Sequence, residues 1–98
     1  MPRKLIDLLI RDTDKIIFEG KVDRISSINE MGPFDVYPMH ANFISIIKKN
    51  ISLYLNGKKI QDLNIDQAIL KVKRDKANIF LGIETLILKE EKEISSSI

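Results

Sequence analysis

The dipeptide Asn56-Gly57 constrains this chain more than any other pair of residues in it. Both residues tolerate positive φ, as a type I′ turn requires, and that turn matches the twist of a β-hairpin. Before it, Ile51, Leu53 and Leu55 alternate with Ser52 and Tyr54. A period of two is the mark of a half-buried strand. Lys59 to Ile65 is then the return strand. Ala68, Leu70 and Val72 alternate again, Arg74-Asp75-Lys76 turns the chain, and Ala77, Ile79 and Leu81 alternate once more.

The first half of the chain carries shorter apolar bursts separated by turn residues. Lys4 to Arg11 has the density of a strand buried on both faces or of a short helix. Lys15 to Glu19 is ended by Gly20, and Val22 to Ile28 has the uneven spacing of a bulged strand. Asn29 to Pro33 reads as a loop, Phe34 to Tyr37 as a short strand closed by Pro38, and Asn42 to Ile47 as another strand. The whole predicts an all-β fold, a sandwich or flattened barrel of about ten short strands. The burst Ile83 to Leu88 closes a domain over residues 1–88. Residues 89–98 form a polar tail with at most one short helical turn.

Composition narrows the function. With 98 residues the chain buries about 65% of its surface on folding, enough for one compact core. No cysteine is present, which excludes disulfides, thiolate zinc sites and cysteine nucleophiles. A single histidine argues against a transition-metal site. Sixteen basic and fourteen acidic residues give a net charge of +2, too little to imply nucleic acid or an anionic membrane. No signal peptide and no run of ~20 apolar residues is present, so the chain reads as cytosolic or as a soluble part of something larger.

The chemical candidates are sparse. His40 is the one strong general-base candidate, but no nucleophile elbow surrounds any serine, which favours a structural or contact histidine. Asp7, Asp12, Asp62 and Asp66 lack the density of a calcium loop. The four glycines are isolated, so no phosphate loop exists. The basic turn Lys71-Lys73-Arg74-Lys76, with Lys58, Lys59 and Tyr54, allows an alternative reading as a small barrel that binds single-stranded nucleic acid.

One segment resists a bland reading: Gly32-Pro33-Phe34-Asp35-Val36-Tyr37-Pro38-Met39-His40-Ala41-Asn42-Phe43. It resembles the signature of the ε subunit of F-type ATP synthases (δ in mitochondria). That pattern runs glycine, a large apolar residue, Gly or Asp, an aliphatic residue, a variable residue, Pro, a small residue and His-Ala. Ile16-Ile17-Phe18-Glu19-Gly20-Lys21-Val22 resembles an upstream family segment, and Leu70-Lys71-Val72 with Asn78-Ile79-Phe80-Leu81 resembles its late strand pair. The resemblance covers roughly residues 4 to 88. Two departures stand out: Met39 replaces a glycine, and Asp66-Gln67-Ala68 replaces a Gly-Gly pair, so the chain is expected to turn differently there.

The resemblance implies a non-catalytic central-stalk rotor subunit. It would couple the γ subunit to the membrane c-ring during ion-driven ATP synthesis, at the cytoplasmic face of the plasma membrane. Asn29, Glu30, Met31, Gly32 and Pro33 are the expected c-ring contact. His40, Ala41, Asn42 and Phe43 are the expected γ contact, with Phe43 equally suited to the core. No cofactor, metal, catalytic residue or bound ATP is expected, nucleic acid is not expected as a partner, and the membrane is reached only through the c-ring. The chain reads as a short form without the family's C-terminal helical pair.

Overall fold

The computed structural model describes residues 4–39 and 42–82. They form seven strands: β1 (Ile6–Asp12), β2 (Lys15–Val22), β3 (Arg24–Asn29), β4 (Gly32–Val36), β5 (Phe43–Leu55), β6 (Lys58–Lys73) and β7 (Lys76–Leu81). The all-β expectation holds, and no helix occurs among the described residues. The strands join one ladder in the order β2-β1-β7-β6-β5-β3-β4, antiparallel throughout except for β1 against β7. β2 lies at one end of that order, yet it packs against β5. The sheet therefore folds over on itself and encloses the core as a sandwich.

Alternation selects the core. Ile6, Leu8 and Ile10 of β1 point inward while Asp7 stays exposed, so the first burst is a one-sided strand rather than a helix. Ile25, Val36, Ile51, Leu53, Leu70 and Ile79 are fully buried from five further strands, and Phe18, Phe34 and Phe43 pack against this cluster. The Asn56-Gly57 turn is as read: φ is +55° and +76° at the two residues, and Leu55 pairs with Lys58 across it. The Asn56 N–H donates to Asp23 Oδ2 at 2.8 Å, which ties this hairpin to the start of β3.

The described residues hold seven strands, fewer than the expected ten or so, in part because two are long. The sequence reading broke Asn42–Leu55 and Lys59–Val72 into two strands each, whereas β5 runs unbroken for 13 residues and β6 for 16. Bulges substitute for the expected breaks. Asp66 and Ile60 have no opposite residue on β5. Lys49, across from the first bulge, has φ +73°. A bulge bends a strand and sharpens its twist without ending it. No residue of Asp66-Gln67-Ala68 has a positive φ, so the missing glycine pair is met by extended backbone here and a left-handed residue on the partner strand.

The expected loop Asn29 to Pro33 is shorter in fact. Asn29 already pairs with Gly32 and Ile28 with Pro33, which leaves only Glu30-Met31 as the turn. Pro33 is tolerated because β4 is an edge strand and its missing N–H interrupts no inner ladder. The burst at residues 83–88, the tail 89–98 and any helical turn there lie outside the described residues.

Candidate functional site

The register of β3 and β5 creates the main surface feature. The two strands pair from Arg24 to Ser26 and again at Ile28 with Lys48, then part. Beyond that point Phe43 to Ile47 are laddered to β6 alone. A groove of ≈ 810 Å³ fills the gap between this open edge and the β3–β4 hairpin. Its walls are Asn29 to Phe34 on one side and Phe43, Ile44, Ser45, Ile46 and Lys48 on the other, with Gln67 at the far end. Phe34 and Phe43 meet edge to face, 6.4 Å between ring centres. Asn29 Nδ2 donates to Ser45 Oγ at 3.2 Å across the gap, and Asn29 Oδ1 accepts from the Met31 N–H at 2.9 Å.

Much of this surface is apolar and wet. Met31 is 91% exposed, Ile44 67% and Ile46 54%. Single exposed apolar residues are ordinary, but a cluster beside an unpaired strand edge is the usual form of a docking surface.

The residues expected at two separate interfaces are partly brought together. Asn29, Glu30, Met31, Gly32 and Pro33 share one groove with Phe43, which is half-buried and touches both core and groove. Asn42 lies outside it, and its Oδ1 accepts the Arg74 N–H at 2.7 Å. His40 and Ala41 lie outside the described residues. Ile44 and Ile46 were missed as surface residues. Their signal was a burst in which both phases of the strand are apolar, so that one phase has to face water.

Met39 takes a backbone conformation that glycine reaches more easily than any other residue. It adopts φ +67°, the left-handed region, and its N–H donates to Asp75 Oδ1 at 2.8 Å. A side chain in that region costs about 1–2 kcal/mol, partly offset in any glycine variant by the greater freedom of the unfolded chain. Met39→Gly is therefore expected to stabilise the domain by about 0.5–1 kcal/mol, read as a raised urea midpoint at constant slope.

The nucleic-acid reading loses its platform. Tyr54 is covered by the Arg24 guanidinium, 3.6 Å from its ring centre. A hydrogen bond to Tyr37, with a second to Tyr54, pushes the Arg24 guanidinium further above its usual range. Tyr54 faces Lys59 across the β5–β6 ladder. The twelve residue steps of β6 from Lys59 to Lys71 span roughly 40 Å of strand. The aromatic and the basic cluster thus sit at opposite ends of the sheet and form no common groove.

The acidic candidates also disperse. Asp7 pairs with Lys21 at 2.9 Å, and Asp12 accepts from Thr13. Among the described residues no group of three His, Cys, Asp or Glu could hold a metal ion. Asp62 anchors a polar cluster on β5 and β6. Its Oδ1 accepts from Ser52 Oγ at 2.8 Å and Asn50 Nδ2 at 3.1 Å, and Lys59 Nζ is 3.6 Å from Oδ2. The Ser52 hydroxyl first, then Asn50, hold the Asp62 carboxyl below its ordinary range. Folding therefore gains stability from this group above its unfolded pKa, and loses it as pH falls through the lower folded value. Asp62→Asn is expected to lower the melting temperature at neutral pH, with the gap to the parent closing as the solution is acidified below pH ~4. A gap constant with pH would show that the charge contributes nothing.

The described residues thus form an all-β sandwich with a partly apolar groove where β3 and β5 part. The chain belongs to the family of ATP synthase delta/epsilon chains: residues 6–82 match the beta-sandwich domain of that family. The fold resembles that of a chain in the Euglena gracilis mitochondrial ATP synthase, solved as an OSCP/F1/c-ring assembly. The TM-score is 0.73 at 18% identity, over 81% of this chain and 51% of that one. It also resembles a chain of the Tetrahymena thermophila mitochondrial ATP synthase central stalk and c-ring. There the TM-score is 0.65 at 10% identity, over 83% of this chain and 66% of that one. The chain thus spans about half the length of the first and under two thirds of the second.

Proposed function

We propose that this chain is a non-catalytic central-stalk subunit of a rotary ATP synthase, holding a γ-type subunit on the membrane c-ring. The observation that carries the reading is the apolar groove at the open edge of β5, on a sandwich of the delta/epsilon family. A rotor element has to transmit torque without shearing, and β5 and β6 run continuously through the whole body. It also needs partner surfaces, and a strand edge that β3 leaves uncovered, flanked by exposed Ile44 and Ile46, supplies apolar area.

The β3–β4 tip, Asn29 to Pro33, is the proposed c-ring contact. Glu30 there sets register and encounter rate more than affinity, as rim charges do. His40, Ala41, Asn42 and Phe43 are the proposed γ contact. Because Phe43 lies in the same groove as the tip, the two contacts are neighbours, and the domain works as a wedge at the γ–ring junction. The proposal further has the chain peripheral to the membrane through the ring, at the cytoplasmic face of the plasma membrane, with the chemistry of ATP synthesis in other subunits. Co-expression with the γ subunit tests the proposal. A complex surviving purification at micromolar concentration is expected, and its absence overturns the stalk reading.

A further inference from the structure

Residues on either side of the entry to β5 are held by a turn 32 to 36 residues further along the chain. Met39 and Asn42 bracket positions 40 and 41. Each is tied to the β6–β7 turn: the Met39 N–H to Asp75 Oδ1 at 2.8 Å, and Asn42 Oδ1 to the Arg74 N–H at 2.7 Å. The turn itself is anchored, because the Asp75 carbonyl accepts the Asp7 N–H at 2.8 Å and Arg74 is itself left-handed at φ +58°. The Asp75 carboxylate thus supports a backbone conformation that a methionine rarely adopts, at φ +67°. The side chain so presented is not packed in the core: Met39 is 70% exposed.

An unfavourable backbone conformation maintained by a dedicated hydrogen bond, with a large apolar side chain turned to water, makes sense when that side chain is used. We infer that Asp75 is a positioning residue, and that Met39, held by it, is an anchor inserted into an apolar socket of the γ-type partner. This rests on the stalk reading for the identity of the partner, but the latch is a property of the isolated domain. Met39 is polarizable and flexible, suited to filling an irregular socket that a glycine would leave empty.

The experiment has two arms. In the free protein, amide exchange at Met39 is compared between parent, Asp75→Ala and Asp75→Asn. Exchange is expected to rise about tenfold or more in Asp75→Ala and to stay near the parent rate in Asp75→Asn, which keeps an acceptor oxygen. Exchange at Leu70 in the core should not change. An unaltered Met39 rate in Asp75→Ala overturns the latch. In the second arm, titration with the γ subunit compares the parent with Met39→Gly. Met39→Gly is expected to bind about tenfold or more weakly although its fold is more stable, a pairing that a purely structural role does not produce. Equal affinity overturns the anchor. Absence of binding by the parent itself counts against the stalk reading and the anchor together, and the exchange arm still decides the latch.

Discussion

Leu70→Ala is expected to destabilise the sandwich by about 2–5 kcal/mol, a large part of the roughly 5–15 kcal/mol that keeps a domain of this size folded. Leu70 is fully buried in the C-terminal part of β6, opposite Ser45 on β5 and Ile79 on β7. Truncation there loses the transfer free energy of the removed carbons and leaves a cavity, because two laddered neighbours hold the backbone in place and prevent collapse. The adjacent Ile69 is the control. It projects to the opposite face, between Ile46 and Phe80, and is only half-buried. Ile69→Ala is expected to cost about 1 kcal/mol. Urea unfolding at constant slope measures both. Equal losses would mean that the faces of β6 have been assigned wrongly, since a one-residue slip exchanges them.

Ile44→Glu is expected to weaken the complex with the γ subunit about a hundredfold or more, close to 2.7 kcal/mol, with almost no effect on folding. Ile44 is 67% exposed, so the isolated domain gains no buried charge from the change. In a docked groove the same carboxylate is desolvated without a partner, the costliest kind of interface substitution. Ile16→Glu is the matching control. Ile16 is 55% exposed on β2 and does not line the groove. Binding is expected to stay at the parent level there. A titration in which both variants bind normally, or both fail, removes the β5 groove as the docking surface.

The legible part of the fold was the part governed by local alternation and turn chemistry. Ile51-Leu53-Leu55, Asn56-Gly57 and Ala77-Ile79-Leu81 specify strands and a hairpin from residue types alone, and each lies where it was read. The strand count was less legible because a bulge and a turn leave similar traces. Between Leu63-Ile65 and Ala68-Leu70-Val72 the apolar phase slips by one residue. A slip of that kind fits a loop between two strands or a bulge within one, and only the partner register separates them. That Phe43 and the 29–33 tip line one groove was not legible for a related reason. The groove exists because β3 leaves β5 after Ile28, and where two strands part is a property of the pairing.

Composition and pattern determined the class of molecule: a single small all-β body without cysteine chemistry, whose Gly32-to-Phe43 segment carries the delta/epsilon resemblance. Those properties follow from side-chain type and spacing, which act over a few residues and survive without knowledge of the fold. The tertiary structure alone decided that Met39 takes a left-handed backbone held by Asp75. It decided also that Ile44 and Ile46 face water and that Tyr54 is closed to stacking by Arg24. Each depends on groups distant in sequence that fold closure brings within hydrogen-bond or van der Waals reach. Asp75 and Met39 are 36 residues apart in the chain and 2.8 Å apart in the sandwich.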